Sequence, residues 1–292
     1  MITFFTIPKP FEGKTGIRQR NAIRSWSNIC DTETLLFGDE YGIIDTAAEF
    51  DAVNISEIKK SEYGTPYLDE VFRIAQERAK YPHLCYVNSD IILYEDISEA
   101  VRSVPFKDYL MTGQRWDVDV DLPVHANSAR FLVHVYNNYK LQAFPGMDYF
   151  VFRKGMITEM PPFIVGRRGW DNWLVYDCRR RDIPVIDATG KVHAIHQNHD
   201  YSHIPQKQGE RWEDCPESDY NLSLVGGKDI YLWELADASH KFVEGHVVRK
   251  LSTRRVSQEI ILNTPKSMHG VINPFYRAGH LAKYGVLKGM KK

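Results

Sequence analysis

Short runs of β-branched and aromatic residues alternate with segments of helical periodicity, and this order most constrains the fold. In the first part of the chain the runs cover 3–7, 34–37, 52–55 and 84–87, and the intervening segments carry apolar residues at helical spacing. Strands that alternate with helices predict βαβ units and a mainly parallel sheet. We therefore expect an α/β protein with its ligand crevice beyond the carboxyl ends of the strands.

The second half of the chain continues the pattern less regularly. Further strands are predicted at 109–111, 147–152, 185–187 and 193–196, and a helix is predicted from Gly169 to Cys178. Beyond about residue 205 the apolar pattern loosens into short amphipathic pieces. We predict one domain over residues 1–205 and a helical or irregular cap with a basic tail over residues 206–292.

The net charge hides an asymmetry along the 292 residues. The total is −1, so the whole chain has no electrostatic reason to bind nucleic acid. Residues 241–292, however, hold eleven Lys or Arg and two acids. This basic tail is either a solvated cap or a peripheral contact with an anionic membrane surface.

Cysteine use and hydropathy bear on the compartment. Four cysteines lie far apart without a C-x-x-C pair, which argues against a disulfide framework or a structural zinc cluster. The chain begins directly with a strand-like run rather than a basic leader, and no window approaches the eighteen apolar residues of a membrane span. We expect a soluble, cytoplasmic protein.

The tripeptide Asn88-Ser89-Asp90 stands between two apolar strand segments. A buried, unpaired carboxylate costs several kcal/mol, so Asp90 is expected at a strand end or beside a cation. An Asp in a turn or at a helix cap is the simpler interpretation. The strand, N-S-D, strand order resembles the D-x-D region of GT-A-fold glycosyltransferases, in which the motif meets the ribose and a divalent ion on the diphosphate of a nucleotide-sugar.

That resemblance implies a fold, a cofactor and ligand roles. It implies a doubly wound, GT-A-like sheet and Mn²⁺ or Mg²⁺ bound by Asp90, with Ser89 and Asn88 near the ribose. Asn88 replaces the first Asp of the motif. Such ions accept oxygen ligands and neutralise charge on the departing nucleoside diphosphate.

A second acidic segment, Gly169-Trp170-Asp171-Asn172-Trp173, lies at a predicted helix start. An Asp there is a good cap and suits the helix dipole. The segment also resembles, in chain order, the stretch that supplies the catalytic base of inverting GT-A enzymes, which makes Asp171 the candidate base. Asp148 is the rival, and the same resemblance gives it the acceptor hydroxyls. The two tryptophans either face a sugar ring or pack in the core.

Four of the eleven histidines fall between His193 and His203. On a helix, His196, His199 and His203 would share a face and indicate zinc. The preceding apolar run favours a strand and a loop instead, with one or two ligands at most. The resemblance implies that His196 or His199 is a further metal ligand, and a hydrogen-bonded loop network is the alternative.

Weaker signals follow other predicted strands. By the resemblance, Pro8, Lys9 and Asp39 lie where the base and ribose bind, Thr65 contacts the base, and Arg115 meets the donor sugar or phosphate. Arg115 is equally explained as a solvated or salt-bridged surface arginine. The chain has no G-x-G-x-x-G, P-loop or G-x-S-x-G motif, which argues against dinucleotide, P-loop and α/β-hydrolase functions.

Together these features predict a glycosyltransferase that moves a hexose-like sugar from a nucleoside-diphosphate donor to a hydroxyl of a glycan or lipid-linked glycan, with inversion. The activity would belong to polysaccharide biosynthesis, at or near the inner face of a membrane. Two alternatives remain open. One is a metal-dependent hydrolase built on the histidine cluster, and the other is a non-catalytic carbohydrate- or nucleotide-binding protein of the same fold.

Overall fold

Thirteen strands and seven α-helices follow one another in the computed structural model, which describes residues 1–120, 122–144, 146–199, 215–226 and 233–250. The strands are β1 (Ile2–Thr6), β2 (Thr32–Phe37), β3 (Val53–Ile55), β4 (His83–Val87), β5 (Ile91–Ile92), β6 (Leu110–Thr112), β7 (Trp116–Val118), β8 (Lys140–Leu141), β9 (Tyr149–Arg153), β10 (Val185–Asp187), β11 (Ile195–Gln197), β12 (His240–Val243) and β13 (His246–Arg249). The helices are α1 (Gly13–Ser27), α2 (Ile43–Glu49), α3 (Leu68–Arg78), α4 (Asp96–Ser103), α5 (Ala129–Asn138), α6 (Trp170–Arg180) and α7 (Pro216–Leu224).

Nine strands form the main sheet in the order β13-β12-β10-β6-β9-β4-β1-β2-β3. Strand β1 pairs in parallel with β2 and β4, and β10 pairs in parallel with β6 and β12, whereas β9 runs antiparallel between β4 and β6. The predicted α/β architecture with a mainly parallel sheet is confirmed. Its carboxyl ends bring the segments after β1, β2 and β4 to one edge.

The centre of the main sheet is buried on both faces, and all five residues of β1 are buried. On one face Phe4 stacks on Trp26 of α1 with ring centroids 5.9 Å apart, and the Trp26 indole donates to the Ile91 carbonyl at 2.9 Å. On the other face Phe5 meets Phe72 of α3 edge to face at 5.0 Å. This double burial explains why the strand is built of β-branched and aromatic residues rather than of alternating apolar and charged ones.

A second sheet of four strands, β5-β11-β7-β8, positions the polar residues. Strand β11 lies between β5 and β7, with His196 opposite both Ile91 and Asp117. Because side chains alternate along a strand, Trp116 and Ile195 point to the opposite face and pack in a cluster with Phe131 of α5. Asp117 and His196 are therefore left on the face that meets Asp90.

Among the described residues, the elements that were not predicted from the sequence include α4, α5, the short strands β7 and β8, and the antiparallel hairpin β12–β13. A compact unit extends from Met1 to Arg249. The boundary between residues 1–205 and 206–292 stays a prediction, and the basic tail from residue 251 lies outside the described residues. All four cysteines are free, and within the described ranges no helix is both long and apolar enough to cross a bilayer.

Candidate metal centre and active site

Asp90, His196 and His199 converge beyond the end of β4. The Nε2 atom of His199 lies 2.9 Å from Oδ2 of Asp90, and Nε2 of His196 lies 3.5 Å from the same oxygen. One ligand atom from each of the three residues lies within 4.8 Å of the others. The two histidines meet at one point because His196 lies in β11 and His199 lies just beyond its end, where strand alternation no longer applies.

Asp90 and His196 shift each other's pKa values in opposite directions. Burial alone would raise the pKa of Asp90, but hydrogen bonds and charge from the two imidazoles outweigh it and hold that pKa well below its usual range. Burial likewise opposes ionisation of His196, while Asp117 and Asp90 raise its pKa to about 9. The other oxygen of Asp90, Oδ1, is buried and has no hydrogen-bond partner among the described residues.

These donors fit a divalent ion. Oδ1 of Asp90 is buried without a partner among the described residues, and an imidazole nitrogen of each histidine faces Oδ2. Such groups can lose a proton and bind a metal ion in its place. Imidazole suits Zn²⁺ and Fe²⁺, whereas Mg²⁺ and Mn²⁺ favour oxygen ligands such as the Asp90 carboxylate. The structure thus brings together all three residues that the sequence offered as metal ligands.

A chain of polar contacts runs from His196 to a second carboxylate. His196 Nδ1 lies 3.0 Å from Oδ1 of Asp117, although the contact is bent away from a straight hydrogen bond. Arg115 donates from Nε to the same Asp117 oxygen at 2.9 Å and from Nη1 to Oδ2 of Asp148 at 2.6 Å. Asn88 donates to the other Asp148 oxygen at 2.6 Å. Arg115, predicted at the donor sugar, is therefore held between two carboxylates.

Asp171 lies in the first turn of α6, which begins at Trp170 directly after Gly169. The φ of Gly169 is 97°, an angle that glycine adopts readily. Burial raises the pKa of Asp171 to about 6, and the nearby charge of Asp148 adds to the rise. A carboxyl group that titrates near neutral pH suits a general base. Trp170 and Trp173 are 7% and 9% exposed and pack against Phe150 and Phe163, so they belong to the core.

Gln19 of α1 links Lys9 and Ser89, two of the residues predicted to bind the donor, and Ser89 directly precedes Asp90. The amide of Gln19 accepts from the Lys9 backbone at 2.7 Å and donates to its carbonyl at 2.8 Å. The Ser89 hydroxyl donates to the same Gln19 oxygen at 2.9 Å. Pro8 is buried beside this link, and the negative charge of Asp90 acts on the Lys9 ammonium.

The remaining predicted contacts lie in a different group. Asp39 is exposed and pairs with Lys60. Thr65 donates to Glu217 of α7 at 3.2 Å, and Arg167 binds the same carboxylate from Nε at 2.9 Å. This group ties the loop before α3 to α7 rather than to Asp90.

The histidine-rich segment divides between two places. His193 binds Asp96 through Nδ1 at 2.6 Å and meets Trp116 edge to face, on the side of the small sheet away from Asp90. His203 lies outside the described residues. Two of these histidines, His196 and His199, reach Asp90, and their role as metal ligands stays a prediction.

Sequence reasoning missed three residues of the site and its surroundings: Gln19, Asp117 and Glu217. Gln19 lies within an otherwise ordinary helical stripe, and nothing local marks it. Asp117 carried a signal, because it is a charged residue between Trp116 and Val118 in a strand. Its function depends on pairing with β11, which the sequence does not specify.

No protein-family model and no curated protein matches the chain. Solved structures of similar shape include one described as a nucleotide-diphospho-sugar transferase from Desulfovibrio desulfuricans G20, at 11% identity and a TM-score of 0.43, covering 79% of this chain and 96% of that one. Another is glucosyl-3-phosphoglycerate synthase from Mycobacterium tuberculosis with Mn²⁺, uridine-diphosphate and phosphoglyceric acid, at 14% identity and a TM-score of 0.41, covering 70% of this chain and 73% of that one. A third is S. aureus TarS 1-349 with UDP-GlcNAc, at 11% identity and a TM-score of 0.32, covering 53% of this chain and 46% of that one. These likenesses are weak, so the function must be argued from the site itself.

Proposed function

We propose that the protein is a metal-assisted glycosyltransferase that moves a sugar from a nucleoside-diphosphate donor to a hydroxyl group. The observation that carries the proposal is the cluster of Asp90, His196 and His199 within 4.8 Å, with one Asp90 oxygen buried and unpartnered. It lies beyond the carboxyl end of β4, where open α/β sheets bind their ligands.

In this proposal Asp90, His196 and His199 hold Mn²⁺, or less favourably Mg²⁺. When bound, the ion would supply positive charge to the diphosphate as the bond to the sugar breaks. The protein itself supplies a second positive charge near the diphosphate, the exposed Lys9 ammonium, on which the charge of Asp90 acts. Without such cations the carboxylates of the site would repel an anionic donor.

Asp171 is the proposed base. Its carboxylate would take the proton of the acceptor hydroxyl as that oxygen forms the new bond to the anomeric carbon, and the bonding pair of the old bond leaves with the diphosphate. Direct attack from the opposite side inverts the anomeric centre. A pKa of about 6 leaves Asp171 largely ionised at neutral pH while keeping its basicity higher than that of an exposed Asp. Asp148 is held by Arg115 and Asn88, which leaves Asp171 the freer carboxylate.

The acceptor and the location follow from the same proposal. We propose a glycan or lipid-linked glycan as acceptor and a cytoplasmic site of action, with the basic tail as the contact to the membrane. Liposome flotation with anionic lipid tests the tail, since removal of residues 241–292 should abolish partitioning.

The test of the main proposal combines metal binding and turnover. We expect the purified protein to bind one Mn²⁺ by isothermal titration calorimetry and to release nucleoside diphosphate from at least one member of a panel of nucleotide-sugars. Asp90→Ala should weaken Mn²⁺ binding at least about 100-fold and abolish release, because a ligand is lost. Asp108→Ala removes an exposed acid in the loop before β6 and should change neither.

No turnover with any nucleotide-sugar, together with unchanged Mn²⁺ binding in Asp90→Ala, would contradict the proposal. A metal-dependent hydrolase is the second candidate, and the two imidazole donors favour it because they also suit zinc. That candidate predicts stoichiometric zinc in the purified protein by mass spectrometry, lost in the double variant of His196 and His199. A binding protein would retain nucleotide affinity and never release diphosphate.

A further inference from the structure

Residue 88 is the point at which the chain departs from the D-x-D pattern, and its contacts give the asparagine a specific partner. Strands β4 and β9 are antiparallel with Val87 opposite Tyr149, so Asn88 and Asp148 face each other just beyond the ladder. The backbone N–H of Asn88 donates to the Asp148 carbonyl at 2.9 Å, and its side-chain Nδ2 donates to Asp148 Oδ1 at 2.6 Å.

Arg115 holds Asp148 from the other side. Its Nη1 donates to Oδ2 of Asp148 at 2.6 Å, so each oxygen of that carboxylate has a donor. Asp148 is 8% exposed and Arg115 side-chain exposure is 13%, so solvent screens this pair only weakly. Arg115 also reaches Asp117, whose Oδ1 lies 3.0 Å from the metal-site imidazole of His196.

We propose that Asn88 is a positioning residue rather than a weakened metal ligand: its amide and Arg115 clamp Asp148 between them, and Arg115 links this clamp to the residue behind His196. The amide is required at position 88 because only a donor satisfies an Asp148 oxygen 2.6 Å away. An aspartate there would set two acceptor oxygens against each other with no hydrogen between them. Converting N-S-D to D-S-D would therefore damage the site instead of completing a metal motif.

The contacts of the clamp lie within the protein, whereas its value for sugar transfer rests on the proposed function. Its test accordingly uses thermal unfolding and Mn²⁺ titration without any nucleotide-sugar. If no nucleotide-sugar is turned over, the glycosyltransferase proposal fails, but thermal unfolding and Mn²⁺ titration still test the clamp.

The experiment compares Asn88→Asp, Asn88→Ala and the reciprocal double variant Asn88→Asp/Asp148→Asn. The double variant exchanges amide and carboxylate, keeps the net charge of the native site and restores one donor and one acceptor across the 2.6 Å contact. Asn137→Asp serves as the control, because it adds the same charge at an exposed amide of α5.

We expect Asn88→Asp to lower the Tm by about 5 °C or more, Asn88→Ala to lower it less, and the double variant to recover most of the loss. Asn88→Asp should also weaken Mn²⁺ binding about tenfold, because residues behind a metal ligand set its orientation. Asn137→Asp should resemble the native protein in both measurements.

Three results would overturn the proposal. Native stability in Asn88→Asp would show that the amide is dispensable. Tighter Mn²⁺ binding in Asn88→Asp would make residue 88 a ligand position. A double variant as unstable as the single one would show that the loss does not arise from the pairing with Asp148.

Discussion

Replacing Asp171 with asparagine should stabilise the protein above about pH 6 while removing the proposed base. The reason is that burial opposes the charged form of Asp171 and raises its pKa from 3.8 to about 6. Asparagine has nearly the same shape and remains neutral at every pH. Its carbonyl oxygen can still accept from the backbone N–H groups of the first turn of α6.

The sign of the pH dependence follows from linkage. A carboxyl group whose folded pKa lies above its unfolded pKa stabilises the fold below the unfolded value, and that contribution is lost as the pH rises through the folded value. For Asp171 the window runs from 3.8 to about 6. A pKa shift of this size changes the free energy of unfolding by roughly 3 kcal/mol for a fully buried group. Partial exposure of Asp171 reduces the expected change in that free energy to about 1–2 kcal/mol.

The assay is urea unfolding of the native protein and Asp171→Asn at a series of pH values between about 4 and 8. The variant should gain about 1–2 kcal/mol at the upper end, and the two curves should meet at the lower end. Turnover should fall by about 100-fold or more, because a general base contributes about that much. Asp45→Asn is the control, since Asp45 is an exposed acid in the first turn of α2, where its charge favours the helix.

Two results would refute this reasoning. Equal stability of the native protein and the variant at about pH 8 would mean that Asp171 is charged there without cost, so its environment is not the one described. A gain that persists unchanged at about pH 4 would trace the stabilisation to packing rather than to ionisation. Native turnover in the variant would remove Asp171 from the mechanism while leaving the stability argument intact.

Three further changes probe the surroundings of the site. Glu217→Ala should cost about 2 kcal/mol in urea unfolding, because it leaves Arg167 partly buried without its carboxylate, and amide exchange in α7 should quicken. Asp117→Asn should weaken Mn²⁺ binding about tenfold by calorimetry, because His196 loses its charged neighbour. Gly42→Ala should lower the unfolding free energy by about 1–2 kcal/mol, since the φ of 78° disfavours alanine and the new methyl group would lie 2.9 Å from a phenylalanine side chain.

The fold was largely predictable because the main sheet is built from local signals. Strand β1 is a run of β-branched and aromatic residues, and α3 repeats Leu68, Val71, Phe72 and Ala75 along one buried stripe. Helix α4 was missed although it carries the same kind of signal, with Ile97, Ala100 and Val101 on one buried face. Helix α5 buries Phe131 and Val135 but exposes Val133 and Tyr136, so its apolar residues surround much of the helix instead of marking one face.

The sequence was enough to predict which residues form the candidate site, but it did not predict the contacts between them. Asp90, His196 and His199 were recognisable because an acid between strands and a cluster of histidines are unusual in any chain. Their meeting depends on β11 lying between β5 and β7, a long-range pairing that no local pattern encodes. Asp117 and Arg115 gain their partners through the same pairing, which is why Asp117, a strand residue next to Trp116, faces His196.

Three carboxylates of the candidate site, those of Asp90, Asp148 and Asp171, differ in the cations and hydrogen-bond donors near each one. Asp90 has two imidazoles and keeps an unpartnered oxygen, which suits a metal ligand. Asp148 has a guanidinium and an amide, one on each oxygen, which fixes its position and leaves it no oxygen without a donor. Among the described residues, Asp171 accepts only from backbone N–H groups, and burial raises its pKa to about 6. An aspartate at position 88 would add a further carboxylate with no cation of its own, and it would compete with Asp148 for Arg115. The asparagine thus avoids placing another acid directly beside Asp148 at this edge of the sheet.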